Sequence, residues 1–383
     1  MALHFARAEF AERQARAIAA MDARGLDGLL MFRQESMYYL TGYDSFGYVY
    51  FQCLYLGADG TLTLLTRAPD LRQARHTSTI EDIRVWVDAE DARPAEALRD
   101  ILAEHGCKGR RLGIELEAYG LTGRGLRMLD AALDGFCALD DASTLVSALR
   151  LVKSPAEIAY LRRAAALGDA ALDEANRLAA PGAFEGDILA AMQGAVFRGG
   201  GDYPGNEFII GSGAGALLCR YFSGRRRLDP SDQLMLEFAG VYRHYHAALM
   251  RTVLIGAAGD RQRAMHAACV EALRACQDAL RPGDPIGAVF DAHARVLDGA
   301  GFRDHRLNAC GYAMGATFSP NWMDWPMCYA GNGVLAQPDM VFFLHMILMD
   351  SEHGLGMALG ETVRVTESGC ERLSAASLDL VVK

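Results

Sequence analysis

The chain has 383 residues, which suits two domains with substantial cores, and its shares of 51% hydrophobic and 22% charged residues are ordinary for a globular protein. The formal net charge of -10 argues against a nucleic-acid-binding protein, because neutralising phosphates requires clustered Lys and Arg. No apolar stretch is long enough to cross a bilayer, and the first residues lack the pattern of a secretory signal. We therefore expect a cytoplasmic protein with no membrane contact.

Residues 1–150 predict an α/β domain. Apolar residues recur with helical spacing over residues 8–23, and Gly25 follows them, as Gly often follows a helix. Short apolar or alternating runs then predict strands, and two helical stretches separate the later runs. The predicted strands are residues 28–31, 48–55, 61–65, 83–87 and 111–114, and the predicted helices are 94–105 and 121–133.

Residues 151–383 predict a second, α+β domain. Ser154 and Pro155 have the order of a helix N-cap and a first helical residue, so a long helix should run from there to about Leu178. Long apolar strands between the following helices indicate antiparallel pairing. The further predicted helices are residues 184–197, 259–280 and 285–299, and the predicted strands are 233–238, 241–255, 340–349 and 361–366.

Several segments resemble, in the same order, the pita-bread family that includes creatinase, aminopeptidase P, prolidase and methionine aminopeptidase. They are Leu-Val-Lys-Ser-Pro-Ala-Glu-Ile at 151–158, the segment 232–256, the glycines at 311 and 315, Gln-Pro-Asp-Met-Val at 337–341, and residues 362–369. The resemblance covers nearly the whole chain. It implies a creatinase-like N-terminal domain over residues 1–150 and a pita-bread catalytic domain over residues 151–383.

In the metallopeptidases of this family, two metal ions are bound by two Asp, one His and two Glu, which are oxygen-rich ligands suited to Mn, Co or Fe. The resemblance assigns these ligand positions, in chain order, to Glu237, Ala248, Tyr312, His345 and Gly360. Alanine and glycine side chains have no ligand atoms, so a two-metal site that activates water cannot be built from this set. We expect no metal and no cofactor.

The polar residues at and beside the former ligand positions are candidates for catalysis without a metal. Alternate residues of a strand share a face, so His246 should point the same way as Ala248. Glu237 lies between apolar neighbours and would be a buried carboxylate, which is costly unless it is partnered. The alternatives are a core histidine at His345, an evolutionary remnant at Glu237 and a space-filling ring at Tyr312. The predicted catalytic residues are Glu237, His246, Tyr312 and His345.

Candidates for substrate binding come from other segments. Residues 319–327 contain two of the three tryptophans with an Asp between them, which suits a flat or cationic ligand. Arg220 stands where most of the family has a substrate-contacting His, and its guanidinium could bind a carboxylate through two hydrogen bonds. The alternatives are that residues 319–327 form a packed loop, that Arg220 forms a structural ion pair and that Glu361 has an anchoring role. The predicted substrate-binding residues are Arg220, Tyr203, Trp322, Asp324 and Glu361.

Among the metal-free members of the family, ectoine hydrolases resemble this chain more than creatinase does. The similarity rests on Gly-Gly-Asp-Tyr-Pro at 200–204, Glu-x-x-Gly at 237–240, the Tyr-His pair at 245–246 and Gly-Tyr at 311–312. It implies metal-independent hydrolysis of a non-peptide C–N bond in a small cyclic amidine, with ring opening to an N-acetylated diaminobutyrate. Glu237 would be the nucleophile or the base, and His246 would transfer protons.

The same resemblance implies a homodimer in which residues 38–50 of one subunit reach over the partner's site. Arg220 and the tryptophan-rich segment depart from the family pattern, so a related amidine, guanidino compound or cyclic amide is also open as substrate. Two other functions remain as hypotheses. One is a metallopeptidase of the Xaa-Pro dipeptidase or aminopeptidase P type, and the other is a catalytically inactive homologue that binds a small molecule.

Overall fold

The computed structural model describes residues 3–218 and 224–383, and the chain divides into two compact units, Met1–Arg150 and Leu151–Lys383. The first unit is a mixed α/β unit, as predicted. Its helices are α1 (Arg7–Asp22), α2 (Gln34–Thr41), α3 (Leu71–Thr77), α4 (Pro94–Glu104), α5 (Gly123–Leu133) and α6, which ends at the unit boundary (Leu145–Leu151). Its strands are β1 (Gly28–Met31), β2 (Cys53–Gly57), β3 (Leu62–Arg67), β4 (Asp82–Trp86), β5 (Arg111–Ile114) and β6 (Ala138–Asp141).

These strands form one sheet in the order β4-β3-β2-β1-β5-β6. The pairs β1–β2 and β2–β3 are antiparallel, and the other pairs are parallel. The predicted strand over residues 48–55 is wrong in its first part, because a 3-10 turn occupies Gly47–Val49 and the strand begins at Cys53. Helix α2 was not predicted, since all but one of its residues are buried and it has no polar face to create helical periodicity.

The second unit is α+β, which confirms the predicted fold class. Its helices are α7 (Pro155–Leu178), α8 (Glu185–Arg198), α9 (Asp260–Ala279) and α10 (Gly287–Gly299). Its strands are β7 (Ile209–Ser212), β8 (Asp232–Tyr242), β9 (Tyr245–Ile255), β10 (Gly311–Ala313), β11 (Asp324–Met327), β12 (Val341–Asp350), β13 (Leu355–Thr366), β14 (Gly369–Arg372) and β15 (Val381–Val382). The main path of the sheet is β11-β10-β12-β13-β9-β8-β7, while β14 pairs with β13 and β15 with β9.

Helix α7 begins as the sequence predicts. The Ser154 hydroxyl accepts a hydrogen bond from the backbone N–H of Glu157 (3.3 Å), and the Glu157 carboxylate accepts one from the backbone N–H of Ser154 (2.9 Å). Pro155 occupies the first turn, where its missing N–H would have no helical partner. The other oxygen of the buried Glu157 carboxylate accepts a hydrogen bond from the hydroxyl of Tyr245 (2.7 Å), so the cap also anchors the start of β9.

Helices pack on one face of the second sheet. Ala247 of β9 packs against Ala164 and Ala165 of α7. Phe342 and Leu344 of β12 belong to the apolar core that α9 and α10 form with the sheet. Because side chains alternate along a strand, the even-numbered residues of β9 and the odd-numbered residues of β12 point to the opposite face.

The sheet curls around that opposite face. In the sheet order, β12 and β13 separate β10 from β9, yet Ala316, just after β10, forms a β-bridge with Tyr245 at the start of β9. The next residue, His246, donates its backbone N–H to the carbonyl of Gly315 (3.1 Å). We call the face opposite to α7, α9 and α10, which carries the odd-numbered residues of β12 and the even-numbered residues of β9, the concave face.

Strands β8 and β9 form a hairpin whose two connecting residues, Arg243 and His244, have φ angles of 50° and 64°. Two consecutive positive φ values are typical of a tight hairpin turn, which Asn and Gly usually occupy. The predicted strand over residues 241–255 therefore missed this turn, since Arg and His do not signal it. Within the described residues, no helix is both long and apolar enough to span a membrane.

Candidate active site

The register of the second sheet aligns most of the former ligand positions across four strands. Glu237 of β8 pairs with Met250 of β9, and Met250 pairs on its other side with Gly360 of β13. Gly360 in turn pairs with His345 of β12. Directly paired residues of an antiparallel sheet point to the same face, so Glu237 and His345 share the concave face although three strand-to-strand steps separate them.

The remaining positions lie on the same face. Tyr312 of β10 pairs with Phe343, two residues before His345 on β12. Ala248 and His246 precede Met250 by two and four residues on β9, so the alternation of the strand places all three on one side. All five positions that the resemblance assigned to metal ligands therefore face the concave side.

These residues do not fit a dinuclear metal centre. Ala248 and Gly360 contribute no donor atom to the concave face, and Tyr312 replaces a histidine ligand by a neutral phenol. Across residues 3–218 and 224–383, no three His, Cys, Asp or Glu side chains are grouped so that they could hold a metal ion. The only carboxylate among the five former ligand positions is that of Glu237, which is 8% exposed.

The buried ring of His246 is held by backbone groups at both nitrogens. Its Nε2 accepts a hydrogen bond from the N–H of Gly205 (2.7 Å), and its Nδ1 lies 2.7 Å from the carbonyl of His244 and 3.1 Å from the Thr317 hydroxyl. The N–H donor at one nitrogen and the carbonyl acceptor at the other fix the neutral tautomer with hydrogen on Nδ1. Complete burial lowers the pKa of His246 to about 3.

The proton-transfer role expected for His246 stays a prediction, and the structure gives the ring a structural role as well. The ring stays neutral across the physiological range. Its nitrogens bind Gly205 and His244, so it tethers the segment before β7 to the β8–β9 hairpin. The sequence placed His246 correctly on the strand. It could not show that the ring would meet a backbone N–H from a segment 41 residues earlier.

The aromatic residues of the concave face form a contiguous group. The Tyr312 ring centroid lies 5.5 Å from that of Phe343 and 5.7 Å from that of His345, and the Phe343 and His345 centroids are 5.6 Å apart. Tyr312 and His345 are 3% and 7% exposed, so both rings are buried. Phe343 was not among the predicted site residues, although its spacing of two residues from His345 could have identified it.

Trp322 is placed differently from the prediction. The residue is 1% exposed, and its indole Nε1 donates a hydrogen bond to the hydroxyl oxygen of Tyr312 (2.9 Å). Its ring centroid lies 6.3 Å from that of His246. The indole therefore acts as a buried partner of the Tyr312 phenol and does not offer an open stacking surface.

Asp324 lies next to a buried lysine that the prediction did not include. A Cβ built on Gly315 would lie 3.4 Å from Oδ2 of Asp324 and 3.5 Å from Nζ of Lys153. Lys153 is 4% exposed and donates a hydrogen bond to the carbonyl of Leu151 (3.1 Å). The missing side chain of Gly315 leaves room for both groups beside the end of β10.

Of the other predicted substrate-binding residues, Glu361 and Tyr203 do not join this group. Glu361 points to the helix-bearing face, where its buried carboxylate forms ion pairs with Arg251 and Arg372, so its predicted contact with substrate is corrected to an anchoring role. The ring of Tyr203 is 81% exposed and lies edge-on to that of Phe197, with centroids 4.9 Å apart. Arg220 lies outside the described residues.

Comparisons with known proteins agree with this architecture. The model of metallopeptidase family M24 matches residues 159–367, and the creatinase/prolidase N-terminal domain matches residues 13–152. The uncharacterized hydrolase/peptidase y4tL of Sinorhizobium fredii is 31% identical over 99% of this chain and 97% of its own length. Ectoine hydrolase of Halomonas elongata is 27% identical over 100% and 99%. Prolidase from Thermococcus sibiricus shares the fold with a TM-score of 0.88, covering 98% and 99%, at 19% identity.

Proposed function

The chain belongs to metallopeptidase family M24, a family of hydrolases, and from this premise we propose that it is a metal-independent hydrolase that opens a small cyclic amidine at a C–N bond. The observation that carries the proposal is the composition of the concave face. One buried carboxylate, Glu237, lies on the same face as Ala248 and Gly360, which leave two of the family's five ligand positions without donor atoms. The similarity to ectoine hydrolase of Halomonas elongata favours ectoine as the first substrate to test.

The chemistry of an amidinium suits this surface. Its positive charge is spread over a planar N–C–N group, so a buried carboxylate attracts it and aromatic rings can stack on it. The carbon between the nitrogens is electrophilic. Glu237 either attacks that carbon or removes a proton from the water that does so. The group formed by Tyr312, Phe343 and His345 supplies the aromatic wall, and Tyr312 or His345 supplies the proton that the departing nitrogen needs.

The test is turnover of ectoine, with the N-acetylated diaminobutyrate product followed by proton NMR. We expect turnover by the wild-type chain and a loss of kcat of at least about 100-fold in Glu237→Gln, as for removal of a general base. Glu371→Gln, at a partly exposed carboxylate that forms ion pairs with Arg162 and Arg364, is the matched control and should retain activity. Cleavage of Xaa-Pro dipeptides that depends on added Mn²⁺, or binding of ectoine without turnover, would contradict the proposal.

We further propose a homodimer for this hydrolase. Phe46, Val49 and Tyr50 are 68%, 47% and 47% exposed, which is unusual for large apolar side chains clustered within five residues. They fall in the segment 38–50 that the resemblance assigns to the subunit contact. A dimer mass in solution that becomes monomeric in Phe46→Asp would support the proposal, and a monomeric wild-type chain would overturn it.

A further inference from the structure

The Trp322–Tyr312 hydrogen bond joins two buried side chains beside the concave face. An indole can only donate, so the 2.9 Å contact between its Nε1 and the phenol oxygen has one direction. The Tyr312 oxygen therefore accepts from Trp322, and the hydrogen of its own hydroxyl must point elsewhere. This bond orients the phenol as a donor toward a second group.

Both rings are held in place by neighbours. The backbone N–H of Trp322 donates to the Asn206 side chain (3.4 Å), and the Trp322 ring lies beside His246. Tyr312 pairs in the sheet with Phe343 and faces the concave side with it. Two aromatic side chains that are 1% and 3% exposed have little rotational freedom, so the hydroxyl direction is set by packing as well as by the indole.

We propose that Trp322 is a positioning residue, which fixes Tyr312 as the acid that protonates the departing nitrogen during amidine hydrolysis. This inference rests on the proposed function. Water adds to the amidine carbon, a C–O bond forms, and Glu237 takes the proton of that water. The C–N bond then breaks, and the nitrogen takes the hydroxyl proton of Tyr312. The added hydroxyl becomes the amide carbonyl as its proton passes to the new amine, which carries the positive charge of the amidinium as an ammonium. The proton held by Glu237 returns to the phenolate, directly or through water, so one water molecule is consumed and both side chains end as they began.

The indole N–H has a second effect on this step. A donor to the phenol oxygen stabilises the phenolate more than the phenol, because hydrogen bonds to charged groups are the stronger ones. Removing the N–H should therefore make Tyr312 a weaker acid, and proton transfer to the nitrogen should slow. A role for Trp322 that is only structural would lower stability without changing the acidity of Tyr312.

The test measures the pKa of Tyr312 without substrate, by NMR titration of ¹³Cζ-labelled tyrosine, with the signal assigned from Tyr312→Phe. We expect Trp322→Phe to raise this pKa. The same increase should occur when β-(3-benzothienyl)alanine replaces Trp322, since this analogue keeps the shape of indole but has no N–H. An unchanged pKa in the benzothienyl variant overturns the inference, even if Trp322→Phe fails to fold.

Kinetics on ectoine then separate this inference from the proposed function. We expect a kcat reduced about 100-fold or more in Tyr312→Phe and about tenfold in Trp322→Phe, with little change in KM. In the double variant the Trp322 substitution should have no further effect, because the acid it serves is gone. If the two substitutions instead reduce kcat in the double variant by the product of their separate factors, the inference is overturned. A pKa shift in a chain without turnover would support the positioning of Tyr312 and contradict the function instead.

Discussion

The backbone N–H of Gly205 donates to Nε2 of His246 over 2.7 Å, and this bond requires the histidine to be neutral. The ring is completely buried, and desolvation lowers its pKa to about 3. Protonation at Nε2 would replace an acceptor by a donor facing another donor. The tether between the Gly205 segment and the β8–β9 hairpin is therefore sensitive to acid.

The first prediction follows from this depressed pKa. An unfolded histidine has a pKa of about 6.5, so between about pH 6.5 and 3 the unfolded state holds a proton that the folded state does not. The free energy of unfolding should therefore fall as pH is lowered, by about 1.4 kcal/mol per pH unit from this residue. His246→Gln keeps an acceptor for Gly205 but does not titrate, so its stability should lack this component of the slope.

Urea unfolding of wild type and His246→Gln from pH 7 to pH 4 measures the difference. His293 also has a pKa lowered by burial, to about 4, but it is present in both chains, so the comparison isolates His246. If the stabilities of the two chains change with pH in parallel, His246 has an ordinary pKa in the folded chain and the prediction is wrong.

The second prediction concerns metal ions. Because Ala248 and Gly360 provide no ligand atoms, prolonged dialysis against a chelator should leave the hydrolysis of ectoine unchanged, and added Mn²⁺ or Co²⁺ should not increase it. Elemental analysis of the purified chain should find well below one metal ion per subunit. Activity that disappears on dialysis and returns with metal would contradict the prediction.

Strand periodicity explains why the site was largely predictable. The five former ligand positions were assigned from the resemblance to the pita-bread family, and the alternation of side chains then requires each to face one side once the strands pair in register. The same alternation places Gly360 and Glu361 on opposite faces of the sheet, because they are neighbours on one strand. The sequence could not reveal that register, so Glu361 remained a candidate until its pairing with Leu344 was known.

The contacts that sequence could not provide are those between distant segments. Trp322 looked like a ligand platform because tryptophan beside an acid suits a cation, yet its N–H is bonded to Tyr312 within the interior. The sequence indicated no partner for Lys153, and only the fold brings it near Asp324 at Gly315. Such side-chain partners depend on how the sheet curls, which local patterns do not encode.

The third prediction tests the anchoring role of Glu361. Its carboxylate is fully buried between Arg251 and Arg372, and Arg251 also donates to the carbonyls of Gly360 and Ser377. Glu361→Ala leaves a buried guanidinium without its counter-ion, so the chain should lose about 3–5 kcal/mol of stability. Chemical denaturation measures this loss.

Glu371→Ala is the matched control for Glu361→Ala. Glu371 bonds Arg162 and Arg364, but its side chain is 35% exposed, so its removal should cost no more than about 1 kcal/mol. Equal losses in the two variants would contradict the prediction. A variant of Glu361 that folds stably but fails to bind ectoine would instead return this residue to the substrate site.

The fourth prediction concerns the close contact of β8 with α7. A Cβ on Gly240 would lie 1.9 Å from the carbonyl oxygen of Ala164 and 2.4 Å from the backbone nitrogen of Gly168, so strand and helix backbones touch at this point. Both neighbours are backbone atoms and cannot rotate away. Gly240→Ala should therefore displace α7 from the hairpin and destabilise the fold by about 2 kcal/mol or more. Substitutions at exposed sites typically cost only a few tenths of a kcal/mol.

Gly299→Ala provides the comparison, because a Cβ added to this last residue of α10 would have no neighbouring atom within 4 Å, and the residue is not at positive φ. There alanine should be neutral or stabilising by up to about 1 kcal/mol, since it reduces the conformational freedom of the unfolded chain. The midpoints of thermal unfolding of the two variants should therefore shift from that of wild type in opposite directions, or differ from each other by several degrees. If Gly240→Ala were as stable as wild type, α7 would not lie against β8 at Gly240, and the helix-bearing face of the hairpin would have to be assigned differently.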